Sequence, residues 1–393
     1  MSTPVIMDTM VSKGKFSGLA LVLLLTACAA PIPFAQTGAI DREQLLSGGA
    51  LPVHIQSAIH LPDDDVLGLS AEMVRFVDQA AASSGTDTGK VDALLQALFL
   101  SPEINFVFDP MATYTAAQTF EYARANCLAF AGMVTVMLRH MGIKAQFNEV
   151  DVPEVWDMRS LKTMILYKHV NVMIHPRGGR KKVVDLDAAE YDSSYKQRII
   201  SDQQAVAQYY NNRAMDYLFD ENLADAFSYL SKAITLDPQA SYLWANLGTF
   251  YRNAGNRSAA ELSYRIALNE KPRNLIAISN LARLYANDGK TELARKLDKK
   301  AEYFRSRNPY FRYRQGINAF SEQDFATAMR HTKAAIRIYP REHRFHFLLG
   351  AIYEKVGNQK KAEASMQKAV AMSADAKQSA RYQSKMDHLL SSR

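Results

Sequence analysis

The sequence predicts an α+β domain followed by an all-α solenoid of stacked helix pairs. Three observations point there. The apolar spacing changes from helical to alternating between residues 112 and 187. A 34-residue period then starts at residue 207 and runs for five units. A lone cysteine at a helix start is followed by a histidine and an aspartate on neighbouring strands. At 393 residues the chain has room for two or three domains. Its 48% apolar and 22% charged composition is that of a folded globular protein, which excludes fibrous and disordered classes.

The N-terminal end reads as a targeting segment. Lys13 and Lys15 form a basic flank, Phe16 to Leu25 an apolar core too short to span a bilayer, and Thr26-Ala27 a small-residue stretch. Leu25-Thr26-Ala27-Cys28 resembles a bacterial lipobox. The resemblance implies cleavage, lipidation of Cys28 and a membrane anchor. Because Ala29 follows the cysteine, it also implies the outer membrane, facing the periplasm. Residues 1–28 are then signal and lipobox, and residues 29–40 a tether.

Residues 41–200 form the predicted α+β domain with an N-terminal helical extension. Helical spacing covers Ala71 to Ala82 and Lys90 to Leu100, separated by the turn-rich 83–89, and returns from about 112 to 141. Three runs rich in β-branched residues follow: Ala145 to Val150, Lys168 to Ile174 and Lys181 to Asp187.

Residues 201–376 repeat themselves, with units starting at 207, 241, 275, 309 and 343. Position 8 holds Ala214, Gly248, Ala282, Gly316 and Gly350. Position 20 holds Ala226, Ala260, Ala294, Ala328 and Ala362, and position 27 Ala233, Ala267, Ala301, Ala335 and Ala369. Small residues let two antiparallel helices approach closely, and Pro238, Pro272 and Pro340 end the second helix of their units. This pattern resembles the tetratricopeptide repeat. Tyr217, Tyr251, Tyr285 and Tyr353 at position 11 are expected in the core, and residues 377–393 form a solvating cap helix. Positions 2, 5, 9, 12 and 13 bring Asn211, Tyr242, Arg252, Asn253, Arg283, Asn287, Tyr313 and Phe347 to the concave face, where a protein or peptide partner would bind. No basic set recurs there from unit to unit, so a clamp for a C-terminal carboxylate is not expected. His343 and His346, three apart at a helix start, are expected to serve packing.

Cys127 is the one cysteine left after Cys28. It opens a helix that stops at Gly142, and a thiol at a helix N-terminus meets unpaired N–H groups and the positive end of the dipole. A hairpin centred on Arg177 would set His169 directly opposite Asp185 on one face, with Cβ atoms about 5 Å apart. Nucleophile, base and orienter are then all present. Asp187, two residues on, is the competing carboxylate. Cys127 at its helix, Leu138-Arg139-His140-Met141-Gly142-Ile143-Lys144-Ala145 after it, His169, and Asp185 sixteen residues on resemble the transglutaminase-like superfamily of papain-type folds. The resemblance implies that Cys127 attacks an amide carbonyl, His169 shuttles the proton and Asp185 holds His169. Asn126 and Asn171 depart from the many members that have glycine before the cysteine and an aromatic two residues after the histidine, although bacterial relatives with an Asn-Cys-Leu start exist. The oxyanion donor stays open among the Cys127 amide, Gln118, Tyr114 and the Asn126 side chain.

No paired-ligand spacing supports a metal site, and no cofactor is expected. The net charge of +7 is uneven: from residue 201 onward 30 basic residues face 19 acidic ones. They are scattered over helices, and no nucleic-acid motif accompanies them. The expected function is a membrane-anchored cysteine enzyme acting on an amide bond of a peptide or protein. The alternative is a non-catalytic scaffold or assembly factor using the same two parts for protein–protein interaction.

Overall fold

A computed structural model describes residues 7–8, 40–100, 104, 106–150, 157–160, 163–165, 169–186, 195–373, 380 and 382–384. Cys28, the tether up to residue 39, Asp187 and most of the expected cap helix lie outside the described residues. Among the described residues no helix is long and apolar enough to cross a membrane.

Before the sheet come β1 (Met7–Asp8), α1 (Arg42–Ser47), α2 (Val53–Gln56), α3 (Ala71–Ala81) and α4 (Asp87–Leu100). The helical pattern expected over 112–141 is broken in two. The chain runs β2 (Val107–Phe108), α5 (Ala116–Tyr122), β3 (Arg124–Ala125) and α6 (Cys127–His140). The break has a local cause: Ala123 ends α5 in the left-handed region (φ 47°), which turns the chain into β3. There Val107 and Asp109 donate to the Ala123 and Ala125 carbonyls. The Leu-Arg-x-x-Gly-Ile stretch is the stop of α6. Gly142 sits at φ 75°, its N–H donates to Arg139 O, and Ile143 N–H donates to Leu138 O, the paired bonds of a Schellman end.

The sheet that follows contains β4 (Lys144–Val150), β7 (His169–His175), β8 (Lys182–Val184) and β9 (Gln197–Ile200), with the two-residue β1 on its outer edge. Its order is β1-β8-β7-β4-β9, antiparallel throughout. A separate ribbon pairs β5 (Asp157–Ser160) with β6 (Thr163–Ile165). Alternation gives the main sheet two faces. Ala145, Phe147, Val170, Val172, Ile174, Val184 and Ile200 are buried in one core with the apolar residues of α6. The opposite face carries Asn148, Val150, His169, Asn171, Met173 and Val183.

Five helix pairs follow: α7 (Asp202–Phe219) with α8 (Leu223–Leu236), α9 (Ser241–Asn253) with α10 (Arg257–Glu270), α11 (Leu275–Asn287) with α12 (Thr291–Ser306), α13 (Pro309–Ser321) with α14 (Phe325–Ile338), and α15 (His343–Lys355) with α16 (Gln359–Met372). The first helices of units two to five begin on the first residue of the 34-residue frame. The alanines of positions 20 and 27 are all buried, and a Cβ on Gly248 would stand 2.5 Å from the Tyr264 ring. Tyr251, Tyr285 and Tyr353 are core residues, with Tyr217 half-buried. His343 and His346 are both used internally, against Tyr382 OH and Pro340 O.

The two parts are one body. Arg139, at the end of α6, donates to Ala145 O and makes a two-pronged ion pair with Asp202 in the first turn of α7. The segment around α1 and α2 straps across units one and two. Tyr251 OH donates to Leu45 O, Asn256 Nδ2 donates to Ala50 O, Asp64 N–H donates to Tyr210 OH, and Arg42 lies over the Trp244 ring.

Candidate active site

Asn126 begins the site. Its side-chain carbonyl accepts from Ala129 N–H (2.9 Å), which caps α6, and its amide donates to Thr113 Oγ1 (2.7 Å). Its own N–H donates to Ala112 O. The residue before the thiol is therefore a buried helix cap, which asparagine performs and glycine does only weakly. With its oxygen on Ala129 N–H and one amide hydrogen on Thr113, Asn126 supports the helix start. Gln118 is used in another cap: its Oε1 accepts from Thr115 N–H in the capping box of α5, and the residue is exposed. By helix geometry, the first-turn amides of α6, Cys127 and Leu128, have no intrahelical acceptor.

The half-buried Cys127 thiol meets a buried histidine and a buried carboxylate. One atom each of Cys127, His169 and Asp185 lie within 4.8 Å of one another. His169 Nε2 donates to Asp185 Oδ2 at 2.6 Å, which leaves Nδ1 for the thiol. Burial alone would favour a neutral ring. The hydrogen bonds and charges of Asp185 and Cys127 outweigh it and hold the imidazole pKa up at about 10. No tighter grouping of metal-type ligands exists among the described residues, and here imidazole and carboxylate already bind each other.

The expected hairpin register needs correction. Val172 pairs with Val184 and Ile174 with Lys182, so the turn centres on Gly178, which takes the positive φ (70°), and not on Arg177. That single step sets Asp185 across from Asn171, with His169 its diagonal neighbour on the same face. Asn171 Nδ2 donates to Asp185 Oδ2 at 2.9 Å, so Asn171 contacts the same carboxylate oxygen as His169. Nothing in the local sequence signalled this contact, because it depends on the register.

The partner-binding expectations divide. Asn211 is buried and accepts from Asn246, Tyr313 packs on Phe345, and Phe347 is stacked by Tyr382 at 4.4 Å. Tyr242 is half-buried with its hydroxyl enclosed, and the hydroxyl pKa is raised by that enclosure and by Asp237 and Glu149. Asn253, Arg283 and Asn287 are exposed and Arg252 is half-buried. Asn211 and Tyr313 are taken up by the next unit of the array and Phe347 by Tyr382, while the protein's own sheet fills another part of the concave face. Position 2 of unit one, Gln208, donates to Glu149. Position 2 of unit four, Tyr310, packs with Tyr195, Val150, Val183 and Met173, and position 2 of unit five, Arg344, lies over the Tyr195 ring. The array thus runs from one sheet face, past edge strand β9, to the other. Val150 is the direct cross-strand partner of His169, so unit four packs within one residue of the triad.

A family model described as tetratricopeptide repeat matches residues 207–240 and 343–375. These segments begin on the first residues of units one and five. The C-terminal half is a tetratricopeptide-repeat region of the kind that serves protein–protein interaction. No curated protein matches the chain. Similar solved structures include YrrB, described as a TPR protein with an unusual peptide-binding site (20% identity, 45% of this chain and 92% of that one, TM-score 0.24). Others are MamA 41-end from Desulfovibrio magneticus RS-1 (16%, 44% and 96%, 0.25) and PilF of Pseudomonas aeruginosa (16%, 49% and 87%, 0.27). Scores of that size say nothing about what this chain binds.

Proposed function

We propose that this chain is a partner-binding repeat protein whose front domain carries a cysteine acyl-transfer site. The observation that carries the proposal is the joining of a half-buried Cys127 with the buried His169 and Asp185 in one cluster at the start of α6. The Cys127 thiolate attacks the carbonyl carbon of a peptide or protein amide. The developing oxyanion is received by the first-turn amides of α6. The C–N bond breaks as the His169 imidazolium gives its proton to the leaving amine, leaving a thioester on Cys127. Water or a second amine then attacks that thioester while His169 takes its proton, and Asp185 keeps the ring in place throughout. The fold around the site is read as transglutaminase-like.

The second reading, a non-catalytic scaffold or assembly factor, is favoured by the family match, which reaches the repeats alone. In both readings a protein or peptide partner engages the accessible part of the array, around Arg252, Asn253, Arg283 and Asn287. We also propose the lipid anchor at Cys28 and residence in a bacterial cell envelope. Cleavage there removes β1 from the sheet edge and leaves the four longer strands paired.

Alkylation of Cys127 by iodoacetamide across pH separates the readings. With an imidazolium beside it, the thiolate persists at low pH, and the rate at pH 6 stays within about tenfold of the rate at pH 9. An ordinary thiol of pKa about 8.5 would lose about two-hundredfold over that range. His169→Ala is expected to restore the ordinary profile. A wild-type profile matching an ordinary thiol, unchanged by His169→Ala, overturns the enzymatic reading and leaves the scaffold.

A further inference from the structure

We infer that Asn171 is a positioning residue of the thiol site, holding Asp185 where that carboxylate anchors His169. The inference rests on the reading of Cys127 and His169 as a nucleophile and its base.

Asp185 lies one residue beyond the end of β8, so the strand ladder does not fix its side chain. What fixes it is a pair of donors on the same oxygen. His169 Nε2 and Asn171 Nδ2 approach Oδ2 at 2.6 and 2.9 Å. Rotating the carboxylate toward either donor weakens the bond to the other. Asn171 is itself held from behind, because its Oδ1 accepts from Asn148 Nδ2 at 2.8 Å across the β4–β7 pair. The second Asn148 amide hydrogen goes to Gln197 Oε1 on β9 at 2.9 Å.

The chain of bonds has a direction. An amide nitrogen only donates and an amide oxygen only accepts, so anchoring Asn171 Oδ1 on Asn148 leaves its nitrogen for the carboxylate. Asn148, Asn171 and Asp185 are buried on one sheet face, where an unmatched polar group is costly, so the direction is enforced. The charges acting most strongly on the imidazole come from Asp185 at the end of β8 and Cys127 at the start of α6, while β4 presents the neutral Val150 and Asn148. A phenylalanine at position 171 could pack but has no hydrogen to donate to the carboxylate.

The test is the iodoacetamide profile of Asn171→Leu, which keeps the volume and removes the donor. Its Cys127 rate at pH 6 is expected to fall about tenfold below wild type, while the rate at pH 9 is unchanged. Asn148→Leu, acting one strand further out, is expected to produce a smaller fall of the same sign. A purely structural role would lower the melting temperature and leave the profile in place. A folded Asn171→Leu protein with the wild-type profile overturns the inference. If Asn171→Leu does not fold, the Asn148→Leu profile decides in the same way. Failure of the underlying reading looks different: wild type itself then behaves as an ordinary thiol, and His169→Ala overlays it.

Discussion

His169 is the residue on which the most opposing forces act. Burial penalises its charge, yet the Asp185 carboxylate and the Cys127 sulfur hold the proton on the ring to about pH 10. In an unfolded chain a histidine releases that proton near pH 6.5. A folded pKa raised above the unfolded one gives stability that is fully present below about pH 6.5 and is lost as the pH climbs through about 10. Up to the ordinary thiol pKa of about 8.5, the proton held by the ring is offset by the one the Cys127 thiolate has released. The melting temperature of wild type is therefore expected to fall between about pH 8.5 and pH 10 relative to His169→Gln, which cannot hold the proton. Thermal unfolding of the two proteins across that range measures the difference, and parallel curves would contradict the ion pair. Asn126 shows the same economy of side chains in a neutral residue. One carboxamide caps α6 and ties it to Thr113, and both bonds sit immediately before the thiol.

At the level of the element, the helix pairs depend on contacts too close for a side chain. A Cβ at Gly248 falls 2.5 Å from the Tyr264 ring, which is itself fully buried and cannot move aside freely. Gly248→Ala is expected to cost about 1–3 kcal/mol by overpacking, read from the midpoint of chemical unfolding. An unchanged midpoint would mean that α9 and α10 are not held at this spacing. Such contacts were legible in the sequence because each joins residues within one 34-residue unit and recurs five times. Three strands were legible from their β-branched runs, β4 and β7 to within a residue, whereas the run to Asp187 outlasts β8 (Lys182–Val184) and β9 was not expected. The register of β7 on β8 was not legible. It is set by which turn residue takes the positive φ, and Arg177-Gly178-Gly179 offers two glycines. The contact of His169 with Asp185 survived that one-residue error, because a diagonal pair on the same face still lets the imidazole reach the carboxylate. The break at Ala123 was hidden because alanine carries no sequence mark of the left-handed conformation it adopts.

For the whole molecule, the burial pattern is uneven. One continuous core runs from Leu45 through the sheet and α6 to Ala301 in unit three. Units four and five have small cores of their own, around Ala328 with Ile352 and around Leu349 with Tyr353. They also lean on the sheet through Tyr195, over which Arg344 is set by its two bonds to Glu342. Amide hydrogens in α13 to α16 are thus expected to exchange faster than those of α7 and α9, and Tyr195→Ala to speed them further. Uniform protection along the array, unmoved by Tyr195→Ala, would show that the repeats stand without the sheet. None of this docking was visible beforehand, since the position-2 residues Gln208, Tyr242, Ile276, Tyr310 and Arg344 keep no single residue type along the array. Gln208, Tyr310 and Arg344 are each chosen for the strand or loop they meet.

The strap over units one and two also decides how the molecule takes mechanical load. Tension applied to the chain ahead of Asp41 reaches first Arg42 on Trp244 and Pro238 O, then the bonds of Leu45 and Ala50 to Tyr251 and Asn256, on α9 and just after it. The force is handed to the repeats before it reaches α6. Cys127 and His169 lie off that line, so a chain pulled from its N-terminal side keeps its thiol site unstrained until the strap has peeled away.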